Sequence, residues 1–223
     1  MNVRTSAILF DMDNTLLQSN IDYAAMKAEV YAWLAGSGLL PTGYPVHEAT
    51  TSTMIRDARE RGLAGEGLAA VWQIAAKHET AGMAGAGLEP GVLSMLDELG
   101  TIVGLKLAVL TNNARAAADR ALRETGVLER FELILGREDV PELKPSPQAV
   151  LAVLRHCPGI GAAEWLAVGD SWIDGAAAAG AGVPFVAYRA DREQLQARGV
   201  MPVAAIEHWN EFTSLVRADM GVE

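Results

Sequence analysis

From Val92 onward, short apolar runs alternate with helix-like stretches, and this alternation leaves few architectures open. Val92, Met95, Leu96 and Leu99 recur at helical spacing. "LKLAVL" (Leu105 to Leu110) reads as an apolar strand, and Ala114 to Glu124 as a helix stopped by Gly126. "FELIL" (Phe131 to Leu135) is a short strand. Ser146-Pro147 then opens a helix with serine as cap and proline in the first turn. "WLAV" (Trp165 to Val168) is a strand, Asp174 to Ala181 a helix, "PFVAYR" (Pro184 to Arg189) a strand and Asn210 to Ala218 a terminal helix. Ser6 to Phe10 adds one more apolar strand near the start. Apolar strands separated by helices predict an α/β fold: a Rossmann-like parallel sheet with helices on both faces. The alanines of "GAAAAGAG" (Gly175 to Gly182) fit close helix–sheet packing. The stretch does not match the dinucleotide pattern G-x-G-x-x-G.

The segment between the first strand and this rhythm differs. Tyr23, Met26, Val30, Trp33 and Leu34 share one helical face, and Gly36 to Gly43 breaks the pattern. Two further helical stretches run from about Glu48 to Arg61 and from Gly67 to His78, with His47 beside Glu48 at a helix start. No strand-like alternation occurs from Asp22 to Gly82. The expected organisation is a core of residues 1–17 and 89–223 with an all-helical insert over 18–88. The glycine-rich "TAGMAGAGLEPG" (Thr80 to Gly91) links the insert back. With Gln18 to Asn20 it forms two crossings suited to hinge motion. In the insert, Trp33 and Trp72 read as core. Lys27, Arg56, Arg59, Lys77 and His78 are the cationic or titratable side chains, mostly on solvated faces.

Charge and composition narrow the partners. The chain has 223 residues, half of them hydrophobic, and 18 basic against 28 acidic residues give a formal charge of −10. Such an acid excess disfavours nonspecific nucleic-acid binding. A bound anion therefore requires a local cation. The single cysteine, Cys157, allows no intrachain disulfide and reads as a small hydrophobe near a helix end. The apolar run Ala7 to Phe10 is too short for a signal-peptide core, and no stretch has transmembrane length. The expectation is a cytoplasmic protein, a monomer or weak homodimer, with no membrane or nucleic-acid partner.

In open parallel sheets, ligands bind beyond the carboxyl ends of the strands. The first strand is followed there by Asp11, Asp13 and Thr15, the second by Thr111, Asn112 and Asn113, the third by Lys144 after a loop, and the fourth by Gly169, Asp170, Ser171 and Asp174. Carboxylates, a hydroxyl and a lysine gathered at strand ends suit phosphoryl transfer. A carboxylate with a pKa of about 3.9 is ionised at neutral pH and attacks phosphorus without a base. Asp11 fits that role, and Asp13 fits the acid that protonates the leaving oxygen and later activates water. If extended geometry persisted past the strand, the two would lean to one side. Asp170, with Asp174, would hold a hard cation together with Asp11, and Mg2+ suits such oxygens. Thr111 and Asn112 would seat the phosphoryl group at the opening of a helix, with Lys144 balancing charge. Thr15 and Ser171 support the site. Read alone, "TNN" is a helix cap, and "DMDNT" begins like a calcium loop. The calcium reading fails at Leu16 and Asp22, where glycine and glutamate are required.

With these motifs in order, the chain resembles the haloacid dehalogenase-like hydrolase superfamily along nearly its whole length. Asp11-Met12-Asp13-Asn14-Thr15 resembles the first motif, D-x-D-x-T, and Thr111 the second. Lys144 in "LKPSP" resembles the third, and Gly169 to Asp174 the fourth, G-D-x-x-x-D. The insert is similar to the small helical cap of phosphoglycolate phosphatase-like and β-phosphoglucomutase-like members. The resemblance implies a phosphoaspartyl intermediate and a magnesium ion bound by Asp11, the backbone carbonyl of Asp13, and Asp170. An acid at position 13 implies neither a dehalogenase nor a phosphonate hydrolase. A phosphatase acting on a small phosphorylated metabolite is favoured, with a phosphomutase or a non-catalytic binding protein as alternatives. Asn14 departs from the glycine common at that position.

Overall fold

Residues 5–221 are described by a computed structural model, so 1–4 and 222–223 of the expected core lie outside the described residues. Asn20–Gly85 forms one compact unit, and the rest of the described chain forms another.

In the larger unit, β1 (Ala7–Phe10) is buried along its whole length. A four-residue run of this kind is stable only with strands on both sides and cover on both faces. It lies parallel between β4 (Lys106–Leu110) and β6 (Trp165–Gly169), with Phe10 opposite Val109 on one side and Val168 on the other. With β5 (Leu133–Leu135), β7 (Phe185–Tyr188) and β8 (Ala204–Ile206), the sheet order is β5-β4-β1-β6-β7-β8, all pairs parallel. β2 (Leu17–Gln18) and β3 (Gly87–Leu88) form a separate antiparallel ribbon where the chain leaves and re-enters this unit.

Side-chain alternation divides the core between the two faces. Ala7 and Leu9 pack on one face with α6 (Pro147–His156), α7 (Trp172–Gly180) and α8 (Arg192–Ala197), through Ala149, Val153, Ala177 and Leu195. Phe10 points to the other, where its ring meets Phe131, Trp209 and Phe212, each at 6.0 Å between centroids. Trp209 and Phe212 belong to α9 (Trp209–Met220), which packs with α4 (Val92–Gly100). α5 (Arg115–Glu124) lies by β5. The sheet is thus covered on both faces, as the alternation predicts. The small residues of α7 allow close packing: a Cβ on Gly175 would lie 2.4 Å from Val200 and 2.8 Å from Phe185. Cys157 ends α6 and packs against the same core, as a small hydrophobe would.

The smaller unit holds α1 (Tyr23–Gly36), α2 (Thr51–Glu60) and α3 (Gly65–Met83). Asp22 caps α1 by accepting from the Ala25 N–H at 2.8 Å, and Thr50 and Thr53 close a capping box on α2. Val30, Leu34, Met54, Ile55 and Val71 form its core, with Trp33 and Trp72 packed against it. Its cations are mostly engaged. Lys77 and His78 both reach Glu29, at 2.6 and 2.8 Å, Arg56 pairs with Asp57, and Lys27 donates to the Ala49 carbonyl.

Several boundaries differ from the expectations. His47 and Glu48 precede the helix they were expected to begin. α2 starts at Thr51 because Thr50 supplies the capping hydroxyl. α3 runs on through Thr80 to Met83, into the stretch read as linker, because Gly82 lets it press against Ile21. β2, β3, α8 and β8 were not foreseen. Among the described residues, no helix is long and apolar enough to cross a membrane.

Candidate active site

Asp11 continues β1 by one bond, its N–H donating to the Val168 carbonyl at 2.9 Å. The chain then curls. The Met12 carbonyl accepts from Leu16 and Leu17, both at 2.9 Å, and Asn14 takes φ of 55°. This left-handed conformation is one that asparagine tolerates better than most residues, which accounts for Asn14 standing where glycine is common. The extended backbone thus gives way to a turn from Met12 onward, and the two carboxylates meet different partners, Lys144 for Asp11 and Asn113 for Asp13. Thr15 is fully buried in the turn.

The Lys144 ammonium is buried at the carboxyl ends of β1 and β4. It lies 2.5 Å from Asp11 Oδ1 and 2.7 Å from Asp174 Oδ1, and donates to the Leu110 carbonyl at 2.9 Å. Burial opposes its charge, but the Asp11 and Asp174 carboxylates outweigh that and hold it above the ordinary lysine range.

Lys144 is placed by Asn112. The Asn112 carboxamide donates to the Lys144 carbonyl at 2.9 Å and accepts from its N–H at 3.0 Å, so both ends of the amide are used on one residue's backbone. Asn113 donates from Nδ2 to Asp13 Oδ2 at 2.6 Å, and its N–H donates to Thr111 Oγ1 at 3.2 Å. "TNN" is thus no cap. Ala114 occupies the N-cap of α5 without a side-chain bond, and both asparagine amides turn toward other strand-end loops. The first helical N–H, of Arg115, donates to Glu138 at 2.8 Å, so the chain's own carboxylate takes part of the expected anion seat.

The fourth strand end brings in Asp170, Ser171 and Asp174. A Cβ on Gly169 would sit 2.6 Å from Asp174 Cγ, so glycine is what lets Asp174 fold back against the strand end. Ser171 caps α7, and Asp174 Oδ2 accepts from the Ser171 N–H at 3.1 Å. Asp174 therefore anchors the helix with one oxygen and meets Lys144 with the other.

Asp11, Asp170 and Asp174 bring carboxylate oxygens within 4.8 Å of one another. Three carboxylates here face one ammonium. Burial, reinforced by Asp11 and Asp174, pushes Asp170 up to about 8. Burial likewise pushes Asp174 up to about 6, with Lys144 opposing the rise. Crowded, oxygen-only donors of this kind fit a hard divalent cation, whose charge would relieve the repulsion. The Asp13 side chain lies outside this cluster.

Sequence reading gave Asn113 no role. The available signal was a pair of consecutive asparagines after a strand, followed by an alanine that cannot cap.

A haloacid dehalogenase-like hydrolase family model matches residues 5–182. A phosphoglycolate phosphatase from Rhodospirillum rubrum is 29% identical over 227 residues, covering 94% of this chain and 88% of that protein. One from Neisseria gonorrhoeae is 32% identical over 192 residues, covering 79% and 76% respectively. The crystal structure of a HAD-superfamily hydrolase from Geobacter sulfurreducens is similar in fold, with a TM-score of 0.60 at 24% identity, covering 96% of this chain and 97% of that one.

Proposed function

Because the chain belongs to the haloacid dehalogenase-like hydrolase family, we propose that it is a magnesium-dependent phosphatase using an aspartyl-phosphate on Asp11. The substrate is a small phosphorylated metabolite of the phosphoglycolate or sugar-phosphate type. The relatives named phosphoglycolate phosphatases favour hydrolysis over isomerisation. The observation that carries the reading is Lys144 held between Asp11 and Asp174, with Asp170 in the same carboxylate cluster.

In the first step, one Asp11 oxygen forms a bond to phosphorus as the bond to the leaving oxygen breaks. Asp13 gives its proton to that oxygen. Thr111 donates its hydroxyl hydrogen to the phosphoryl group, and Lys144 offsets the negative charge of both nucleophile and phosphoryl group. In the second step, Asp13 takes a proton from water, whose oxygen bonds to phosphorus while the bond to Asp11 breaks. This restores the Asp11 carboxylate and releases inorganic phosphate. Magnesium, held by Asp11, Asp170 and the Asp13 carbonyl with Asp174 in support, would neutralise phosphoryl charge. Residues 18–88 serve as the cap that selects the ester, and 1–17 with 89–223 as the catalytic core.

The test is phosphate release from p-nitrophenyl phosphate and a panel of phosphorylated metabolites including phosphoglycolate. Turnover with magnesium, its loss with chelator and its loss in Asp11→Asn are expected. An Asp11→Asn variant that turns over like the wild type would overturn the mechanism.

A further inference from the structure

We infer that Arg189 and Glu89 form a lock that holds in place the turn bearing Asp11, with Arg189 as a positioning residue. The inference rests on Asp11 being the nucleophile proposed above. Glu89 is a buried carboxylate to which the proposed mechanism gives no part. Its Oε2 accepts from the Tyr188 hydroxyl and from the Arg189 guanidinium, both at 3.3 Å, across 99 and 100 positions. The Tyr188 ring is itself stacked on Trp209 at 4.5 Å, so this end of the lock sits on the packed core. Arg189 directly follows β7 and takes φ of 48°, in the left-handed region. A side chain is strained there, and glycine would adopt the same backbone freely. The Arg189 N–H donates to the Ile206 carbonyl at 2.9 Å, a bond that glycine would make as well. What the arginine side chain adds is a cation beside a carboxylate that burial would otherwise disfavour.

The lock acts through the backbone. The Glu89 N–H donates to the Leu16 carbonyl at 2.9 Å, next to the β2–β3 ribbon. Leu16 and Leu17 both donate to the Met12 carbonyl, and the Leu17 carbonyl accepts from the Asn14 N–H at 2.8 Å. An unbroken run of bonds therefore leads from Arg189, at the end of β7, to the turn that follows Asp11. The ribbon has two residues on each strand, and so short a pair has little stiffness of its own. Fixed at Glu89, it holds the turn against the sheet. Released there, the turn can shift, and the Asp11 carboxylate shifts with it relative to Thr111 on β4's end.

Amide hydrogen exchange and kinetics test this together, in the wild type, Arg189→Gly and Arg189→Lys. Glycine removes the cation and relieves the backbone, whereas lysine keeps the cation on the same strained backbone. In Arg189→Gly, amides of residues 14–17 and 89 should exchange about tenfold faster, while those of β4 and β6 keep wild-type rates, the mark of a local opening. With p-nitrophenyl phosphate, its kcat should fall about tenfold and its KM stay within about twofold, because a displaced nucleophile slows the chemical step more than it weakens binding. Arg189→Lys should retain most of the protection and most of kcat, although its backbone is the more strained of the two variants. Wild-type exchange over residues 14–17 in Arg189→Gly, faster exchange throughout the core, or a loosened turn with unchanged kcat would each overturn the inference. A wild type inert on every ester would instead overturn the phosphatase reading, and the exchange pattern would still decide whether the lock exists.

Discussion

The Lys144 ammonium lies 2.5 Å from Asp11 Oδ1, although 133 positions separate the two residues. The same nitrogen reaches Leu110 at the end of β4 and Asp174 near the start of α7. One buried cation thus ties three separate segments of chain together at one end of the sheet. Replacing Lys144 with methionine should leave two buried carboxylates facing each other, at a cost of about 3–5 kcal/mol. Thermal unfolding in metal-free buffer should show a lower midpoint, partly restored by magnesium. Phosphate release should fall by about a hundredfold or more.

Magnesium should raise the unfolding midpoint of the wild type in a concentration-dependent way, because a ligand of the folded state stabilises by mass action. At a hundred times its Kd the gain is about 2.7 kcal/mol. Asp170→Asn removes one of three clustered donors and should shrink that shift at every magnesium concentration. An undiminished shift in that variant would place the ion elsewhere.

Asn112→Ala removes both hydrogen bonds that hold the Lys144 backbone. At about 0.5–1.5 kcal/mol for each bond, the variant should fold but hold Lys144 loosely. The kcat should fall about tenfold, while the magnesium-induced midpoint shift stays near the wild-type value. A parallel loss of magnesium response would mean that the asparagine holds more than the lysine.

In the smaller unit, Gly82→Ala should be destabilising by about 1–3 kcal/mol in a denaturant titration. The added Cβ would lie 2.4 Å from Ile21 Cα, which is backbone and cannot turn aside. Gly36→Ala serves as the contrast. Gly36 closes α1 with nothing within 4 Å of the new carbon, so alanine should be neutral or stabilising by up to about 1 kcal/mol.

The main strands were legible because their signal is local. Runs such as Ala7 to Phe10 and Trp165 to Val168 are apolar without interruption, and polar residues end each one. The three helices of the smaller unit were legible from the spacing of Met26, Val30 and Leu34 and from the breaks between helical runs. β2 and β3 are two residues each, too short to show any period. β8, at Ala204–Ile206, is a three-residue edge strand that among the described residues pairs only with β7. α3 passed through Gly82, which propensity reads as a stop, because the close approach of Gly82 to Ile21 outweighed the local preference.

The sequence by itself determined the order of strands and helices and the kinds of side chain that follow each strand. Both are written in consecutive residues. Tertiary structure alone decided what those side chains meet. Lys144 meets Asp11, Asn112 spends its amide on Lys144, and Asn113 reaches Asp13, over separations of 133, 32 and 100 positions. Hydrogen bonds and ion pairs act over about 3 Å of space, however many residues lie between the partners.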